Sequence, residues 1–131
     1  MKKHILSIDD EDKICSIIQE ILTMKGYRVS TAGSAEAARR IVQSDPPSLI
    51  IMDQQLEDTD GLTLAKEIRK TMPDVPILLL TGLIFDADVI QELSGKKVSS
   101  YLPKTSQLDA ICNEVSRLLG DRSGDESARD C

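Results

Sequence analysis

"LIIMD", residues 49–53, sets four apolar side chains in a row and then a carboxylate. A strand with one face in water alternates apolar and polar residues, whereas an unbroken apolar run is buried on both faces. Asp45-Pro46-Pro47 lies ahead of this run and the polar loop Gln54–Asp60 behind it. Those breakers leave room for a strand and not for a helix. Leu49–Met52 therefore reads as a central strand with Asp53 at its end. Pro76–Leu80 is a second fully apolar run, and it ends at Thr81-Gly82.

Working outward, Ile5–Ile8 is a short strand, and the acidic run Asp9-Asp10-Glu11-Asp12 can cap the helix after it. Ile14, Ile17, Ile18, Ile21 and Leu22 recur at helical spacing across 13–25, and Gly26 stops that helix. Tyr27–Ala32 alternates as a strand. Ser34 is placed to cap a helix over Ala35–Gln43 with Ala38, Ile41 and Val42 inward. Leu62–Lys70 is amphipathic, Asp86–Leu93 is a short helix before Gly95, and Val98–Leu102 is the last strand. Thr105 or Ser106 caps a final helix carrying Leu108, Ile111, Val115, Leu118 and Leu119, closed by Gly120. Five strands alternate with five helices, without internal repeats. That pattern implies an α/β fold: a parallel sheet with helices on both faces.

The chain has 131 residues, enough for one core, with 40% hydrophobic and 29% charged residues. The reading is one domain over 1–119 and a polar tail or start of a linker over 120–131. No apolar stretch approaches the ~20 residues of a membrane helix, and no leader pattern follows the first residues, so the expectation is a cytoplasmic chain with no membrane partner. A net charge of −6 argues against direct nucleic-acid contact, since Arg39-Arg40 and Lys96-Lys97 are only pairs. Cys15, Cys112 and Cys131 show no paired spacing. A single histidine, His4, speaks against a histidine metal site or a Ser-His-Asp triad.

In a parallel sheet the functional groups gather outside the carboxyl ends of the strands. Here those ends carry Asp9-Asp10, Asp53, Thr81 and, just beyond the last strand, Lys104. Taken singly, each has an ordinary explanation as a cap or a solvated end. Together they bring three carboxylates, a hydroxyl and an amine to one rim. Oxygen-only donors suit Mg²⁺, with Mn²⁺ as the alternative, and a divalent charge would offset the clustered acids. A lysine and a threonine beside them suit a phosphoryl group, and a carboxylate can itself be the nucleophile.

These residues closely resemble the receiver domain of two-component response regulators over about residues 3–119. The matching elements are Asp9-Asp10, "LIIMD", "DG" at Asp60-Gly61, "LLLTG" ending at Thr81-Gly82, and "YLPK" over Tyr101–Lys104. The resemblance implies a flavodoxin-like doubly wound sheet of strand order 2-1-3-4-5. It implies that Asp53 accepts a phosphoryl group from a histidine kinase or phosphotransfer protein. Asp10 and Asp53 would bind Mg²⁺ directly with the Gln55 carbonyl, and Asp9 through a metal-bound water. Lys104 would hold one phosphoryl oxygen and Thr81 another, with Tyr101 swinging in behind Thr81. That switch would remodel the output face, read by an output protein or a fused output domain.

Some positions depart from the family pattern. Thr105 follows Lys104 where proline is usual, so a trans bond is expected there. Pro103 precedes the lysine, Glu57 adds an acid near the rim, Gly82 replaces a common alanine, and Gln55 and Leu83 occupy positions thought to gate water. The apolar arc of the first helix is wider than one core needs, and its edge at Ile14 and Ile17 is a candidate dock for the kinase. No output domain follows residue 119, which fits a single-domain regulator or a piece of a longer chain. Two other functions remain open: a degenerate receiver serving as a protein-binding platform, and a Mg²⁺-dependent aspartyl phosphohydrolase. The latter would be expected to show an acid two residues after the nucleophile, where Gln55 stands.

Overall fold

The computed structural model describes residues 2–81, 98–104 and 106–120. The expected helix Asp86–Leu93, with Gly82, Leu83, Gly95, Lys96-Lys97, Thr105 and the tail 121–131 that includes Cys131, lies outside the described residues.

Within them, the elements run β1 (His4–Ile8), α1 (Asp12–Met24), β2 (Arg28–Ala32), α2 (Ala35–Ser44), β3 (Leu49–Met52), α3 (Gly61–Thr71), β4 (Ile77–Thr81), β5 (Ser100–Pro103) and α4 (Leu108–Leu119). All strand pairs are parallel and the sheet order is β2-β1-β3-β4-β5, the expected flavodoxin-like order 2-1-3-4-5. A parallel strand alternates its side chains between two covered faces, and the core divides accordingly. Leu6 and Ile8 of β1, Ile50 and Met52 of β3, and Ile77 and Leu79 of β4 pack with Ala35 and Ala38 of α2 and Leu64, Ala65 and Ile68 of α3. Their neighbours Ile5, Leu49, Ile51, Leu78 and Leu80 pack on the opposite face with Ile18 and Leu22 of α1 and Ile111, Cys112 and Val115 of α4.

The boundaries differ from expectation for identifiable reasons. Tyr27 stands before β2, yet its ring is buried in the core on the side of α1 and α4. Val98 is buried ahead of β5, which runs one residue further than expected and ends at Pro103. Proline fits there because β5 is the outermost strand. Ser34 caps α2 as expected, accepting from the Ala37 N–H at 3.2 Å. The expected cap of the last helix is not there: Gln107, extended and without a side-chain cap bond, occupies the N-cap. The Ser106 N–H turns back to the Pro103 carbonyl at 3.0 Å. Leu108, carried by this helix as expected, is 39% exposed because it sits in that first turn, outside the buried stripe of Ile111, Cys112 and Val115. Gly120 closes α4 in the left-handed conformation, φ 65°.

Candidate functional site

The carboxyl ends of β1 and β3 present Asp9 and Asp53, and the sheet ladder continues through both. The Asp9 N–H donates to the Ala32 carbonyl and the Asp53 N–H to the Ile8 carbonyl, each at 3.0 Å. The two acids are therefore held as rigidly as strand residues, and both are buried, at 3% and 5% exposure. Asp10, one residue on, is exposed. One carboxylate oxygen from each of Asp9, Asp10 and Asp53 lies within 4.8 Å of the others.

Lys104 enters from the end of β5. Its Nζ donates to Asp53 Oδ2 at 2.9 Å and to Glu11 Oε1 at 2.9 Å, and lies 3.1 Å from Asp9 Oδ2. The side chain is only 15% exposed. Burial by itself would lower the pKa of this ammonium. The hydrogen bonds to Asp53, Glu11 and Asp9 outweigh it and hold the group above its ordinary value. Asp9 is raised as well, which for a carboxylate disfavours the charged form: burial lifts its pKa above the usual range. The Glu11 N–H, which donates to Asp9 Oδ1 at 2.9 Å, and the Lys104 ammonium only partly counteract that rise. Below this rim the Cys15 thiol is also pushed up, by burial and then by the Asp9 charge, and it donates to the Asp9 carbonyl.

The loop after β3 is built around one glycine. A Cβ on Gly61 would stand 2.5 Å from the Asp53 carbonyl oxygen, so only glycine fits at the start of α3. The Gly61 N–H donates to the Gln54 carbonyl at 2.7 Å, and Asp60 caps α3 through the Thr63 N–H at 2.8 Å. Asp58, in the same loop, accepts from the N–H groups of Ala35 and Glu36 at 3.0 and 3.2 Å, and so caps α2 as well. The Ala35 N–H, opposed by desolvation and aided by the Glu36 N–H, draws the Asp58 carboxyl below its usual range. Gln55 is bridged to Asp60 on this loop.

Of the residues expected at the site, Asp9, Asp10, Asp53 and Lys104 come together. Thr81 ends β4 with its backbone paired to Pro103, and the expected turn of its side chain lies outside what is described. Tyr101 is half-buried, packed against the core cluster that includes Leu79, its register partner. On α1, Ile14 packs against the core while Ile17 is 45% exposed. Glu11 was legible only as one more acid of the opening run. Its bond to Lys104 joins residues 93 apart in sequence, and no local signal announces it. Asp58 in the polar loop is a second such residue.

Asp9, Asp53 and Glu11 pair with the Lys104 ammonium, and Asp10 lies beside Asp9 and Asp53, so among the described residues this rim carries an excess of negative charge made of hard oxygen donors. Such a set fits a small divalent cation. The model for the response regulator receiver domain matches residues 5–116. The chain belongs to that family. Among curated relatives, the receiver is 39% identical over 97 residues to a probable transcriptional regulator, ycf27, of Cyanidium caldarium, a match covering 74% of this chain and 37% of the relative. It is 35% identical over 127 residues to the transcriptional regulatory protein AfsQ1 of Streptomyces coelicolor, covering 95% and 55%. The receiver therefore spans about half the length, or less, of these relatives. Among solved structures, the response regulator TrrA of Thermotoga maritima, crystallised in complex with Mg²⁺–BeF, superposes with a TM-score of 0.78 at 33% identity, covering 90% of this chain and 99% of that one. No helix among the described residues is long and apolar enough to cross a membrane.

Proposed function

We propose that this receiver accepts a phosphoryl group on Asp53 from a histidine kinase or histidine phosphotransfer protein and uses it to switch a protein-interaction face. The observation that carries this reading is the Lys104 ammonium 2.9 Å from the Asp53 carboxylate inside a cluster of three acids. Asp53, like Asp9, is held by the ladder and touched by Lys104, and it is the Asp53 carbonyl that Gly61 packs against. Its carboxylate oxygen attacks the donor phosphorus. An acyl phosphate O–P bond forms, the P–N bond to the donor imidazole breaks, and the electron pair stays on that nitrogen. Lys104 offsets charge on the incoming phosphoryl oxygens, and the Thr81 hydroxyl donates to another.

Asp10, Asp53 and the Gln55 carbonyl are the groups suited to hold Mg²⁺ (or Mn²⁺) directly, with Asp9 acting through a water. A bound divalent cation supplies charge neutralisation and a template for the phosphoryl oxygens. Phosphorylation then biases a two-state element in which Thr81 and Tyr101 shift and remodel the face around β5 and α4. That face is read by an output protein or a fused output domain. The receiver assists its own phosphorylation and dephosphorylation and turns over no external substrate. Its place is the cytoplasm. The donor docks along α1 at Ile14 and Ile17. A charged residue in place of Ile17 slows transfer from the donor protein and leaves uptake from a small phosphodonor intact, and equal slowing of both would sink the docking assignment.

The deciding experiment is intact mass after incubation with acetyl phosphate, with and without Mg²⁺, on the native chain and on Asp53→Asn. One Mg²⁺-dependent phosphoryl adduct, lost in the variant, is expected. If no adduct forms on the native chain where a control receiver is labelled, and beryllofluoride does not bind either, the phosphoacceptor reading is wrong.

A further inference from the structure

An ammonium has three N–H donors and no more. In this receiver Lys104 commits all three: to Asp53 Oδ2 at 2.9 Å, to Glu11 Oε1 at 2.9 Å and to Asp9, whose Oδ2 lies at 3.1 Å. On the proposal that Asp53 is the phosphoacceptor, Lys104 has no donor left for an incoming phosphoryl oxygen. One of its three bonds must open first.

The three partners do not cost the same to release. The Asp9 and Asp53 side chains are 4% and 6% exposed, and a carboxylate that lets go there gives up its Lys104 ammonium without gaining water. The Glu11 side chain is 60% exposed, stands outside the three-acid cluster, and is rehydrated as soon as it lets go. Glu11 also occupies the N-cap of α1 without making a side-chain cap bond, so its carboxylate has no competing structural task at that helix end.

We infer that Glu11 is a positioning residue: in the unphosphorylated receiver it occupies the Lys104 donor that the phosphoryl group later takes, and so restrains phosphoryl uptake. Asp53 attacks acetyl phosphate at phosphorus, the P–O bond to acetate breaks with its electron pair leaving on acetate, and the transferred group inherits the Lys104 donor that Glu11 gives up. Glu11 adds a negative charge beside an anionic donor at the same time, so two effects must be separated. Glu57, an exposed acid on the loop after Asp53, is not among the partners of Lys104 and serves as the charge control.

The test measures the rate of adduct formation from acetyl phosphate at saturating Mg²⁺ by intact mass. The native chain is compared with Glu11→Gln, Glu57→Gln, Lys104→Met and the Glu11→Gln/Lys104→Met double variant. Glu11→Gln is expected to accelerate uptake roughly two- to fivefold, the range one exposed ion pair commands. In the Lys104→Met background the same change should have no effect, since the coupling runs through the ammonium. Unchanged uptake in Glu11→Gln, with the native chain labelled on Asp53, overturns the inference while leaving the phosphoacceptor reading intact. An equal acceleration by Glu57→Gln, or one that survives in Lys104→Met, also overturns it and assigns the effect to net charge. If the native chain takes no phosphoryl group at all, the underlying reading fails and this inference with it.

Discussion

The two ends of the sheet both carry an ion pair and treat it in opposite ways. At the amino end, beside β1 and β2, Arg28 donates to both oxygens of Asp45, and each partner is about half exposed, at 51% and 45%. At the carboxyl end Lys104 meets Asp9 and Asp53, both nearly sealed from water. The direction in which each carboxylate moves reflects this difference. Arg28 holds Asp45 below the usual range, with desolvation a smaller opposing effect. Burial holds Asp9 above it in spite of its lysine. An ion pair built for the surface is satisfied by its own partner. Among the described residues the rim keeps more acid than the Lys104 ammonium can neutralise, and keeps Asp9 and Asp53 out of water, which is the state of a site that expects another charge to arrive.

The contrast breaks most visibly on removal of the cations. Lys104→Met leaves two buried carboxylates unpaired, and in a chelator it should cost roughly 2–3 kcal/mol of stability in urea unfolding, somewhat less than a fully buried pair. Added Mg²⁺ should restore part of it. Arg28→Met at the other end, an exposed and solvent-screened pair, should leave the urea midpoint nearly unchanged. Equal losses would show that the two ends are energetically alike.

Glycine substitutions sharpen the same comparison at the backbone. Gly61→Ala drives a Cβ into the Asp53 carbonyl oxygen and should cost about 1–3 kcal/mol as an overpacking change. It should also slow labelling of Asp53. Gly33→Ala, in the loop after β2, meets nothing within 4 Å and should stay within about 0.5 kcal/mol. A neutral Gly61→Ala would mean that the loop behind Asp53 yields freely.

The pH dependence should have opposite signs at the two ends. Asp45, lowered in the folded chain, contributes stability that is present above its unfolded value and lost as pH falls through its folded value. Asp9, raised in the folded chain, imposes a penalty that grows as pH rises from its unfolded value through its folded one. Urea midpoints in chelator from pH 3 to 7 should therefore fall less steeply toward acid in Asp45→Asn than in the native chain, and more steeply in Asp9→Asn. The smallest expected effect concerns Cys15. Its raised pKa and burial should leave it unalkylated by iodoacetamide near neutral pH until the chain unfolds, as peptide mapping would show.

The sequence by itself determined the architecture and most of the rim. Runs such as Leu49–Met52 cannot be solvated on either face, so they dictate a covered parallel sheet, and parallel strands deliver the residues at their carboxyl ends to one edge. Asp9, Asp10, Asp53 and Lys104 were legible for that reason, and so was the helix cap at Ser34. Only the tertiary structure decided which acid of the opening run is sealed and which is wet, Asp9 against Asp10. The same holds for the third donor of Lys104, which goes to Glu11, and for Asp58, which caps α2 from another loop. It also made Gly61 obligatory, because the Asp53 carbonyl comes to where a Cβ would stand. Each of these depends on distances between segments far apart in the chain. Hydrophobic periodicity reports which face of an element is buried, and says nothing of which polar atom from elsewhere will stand opposite it.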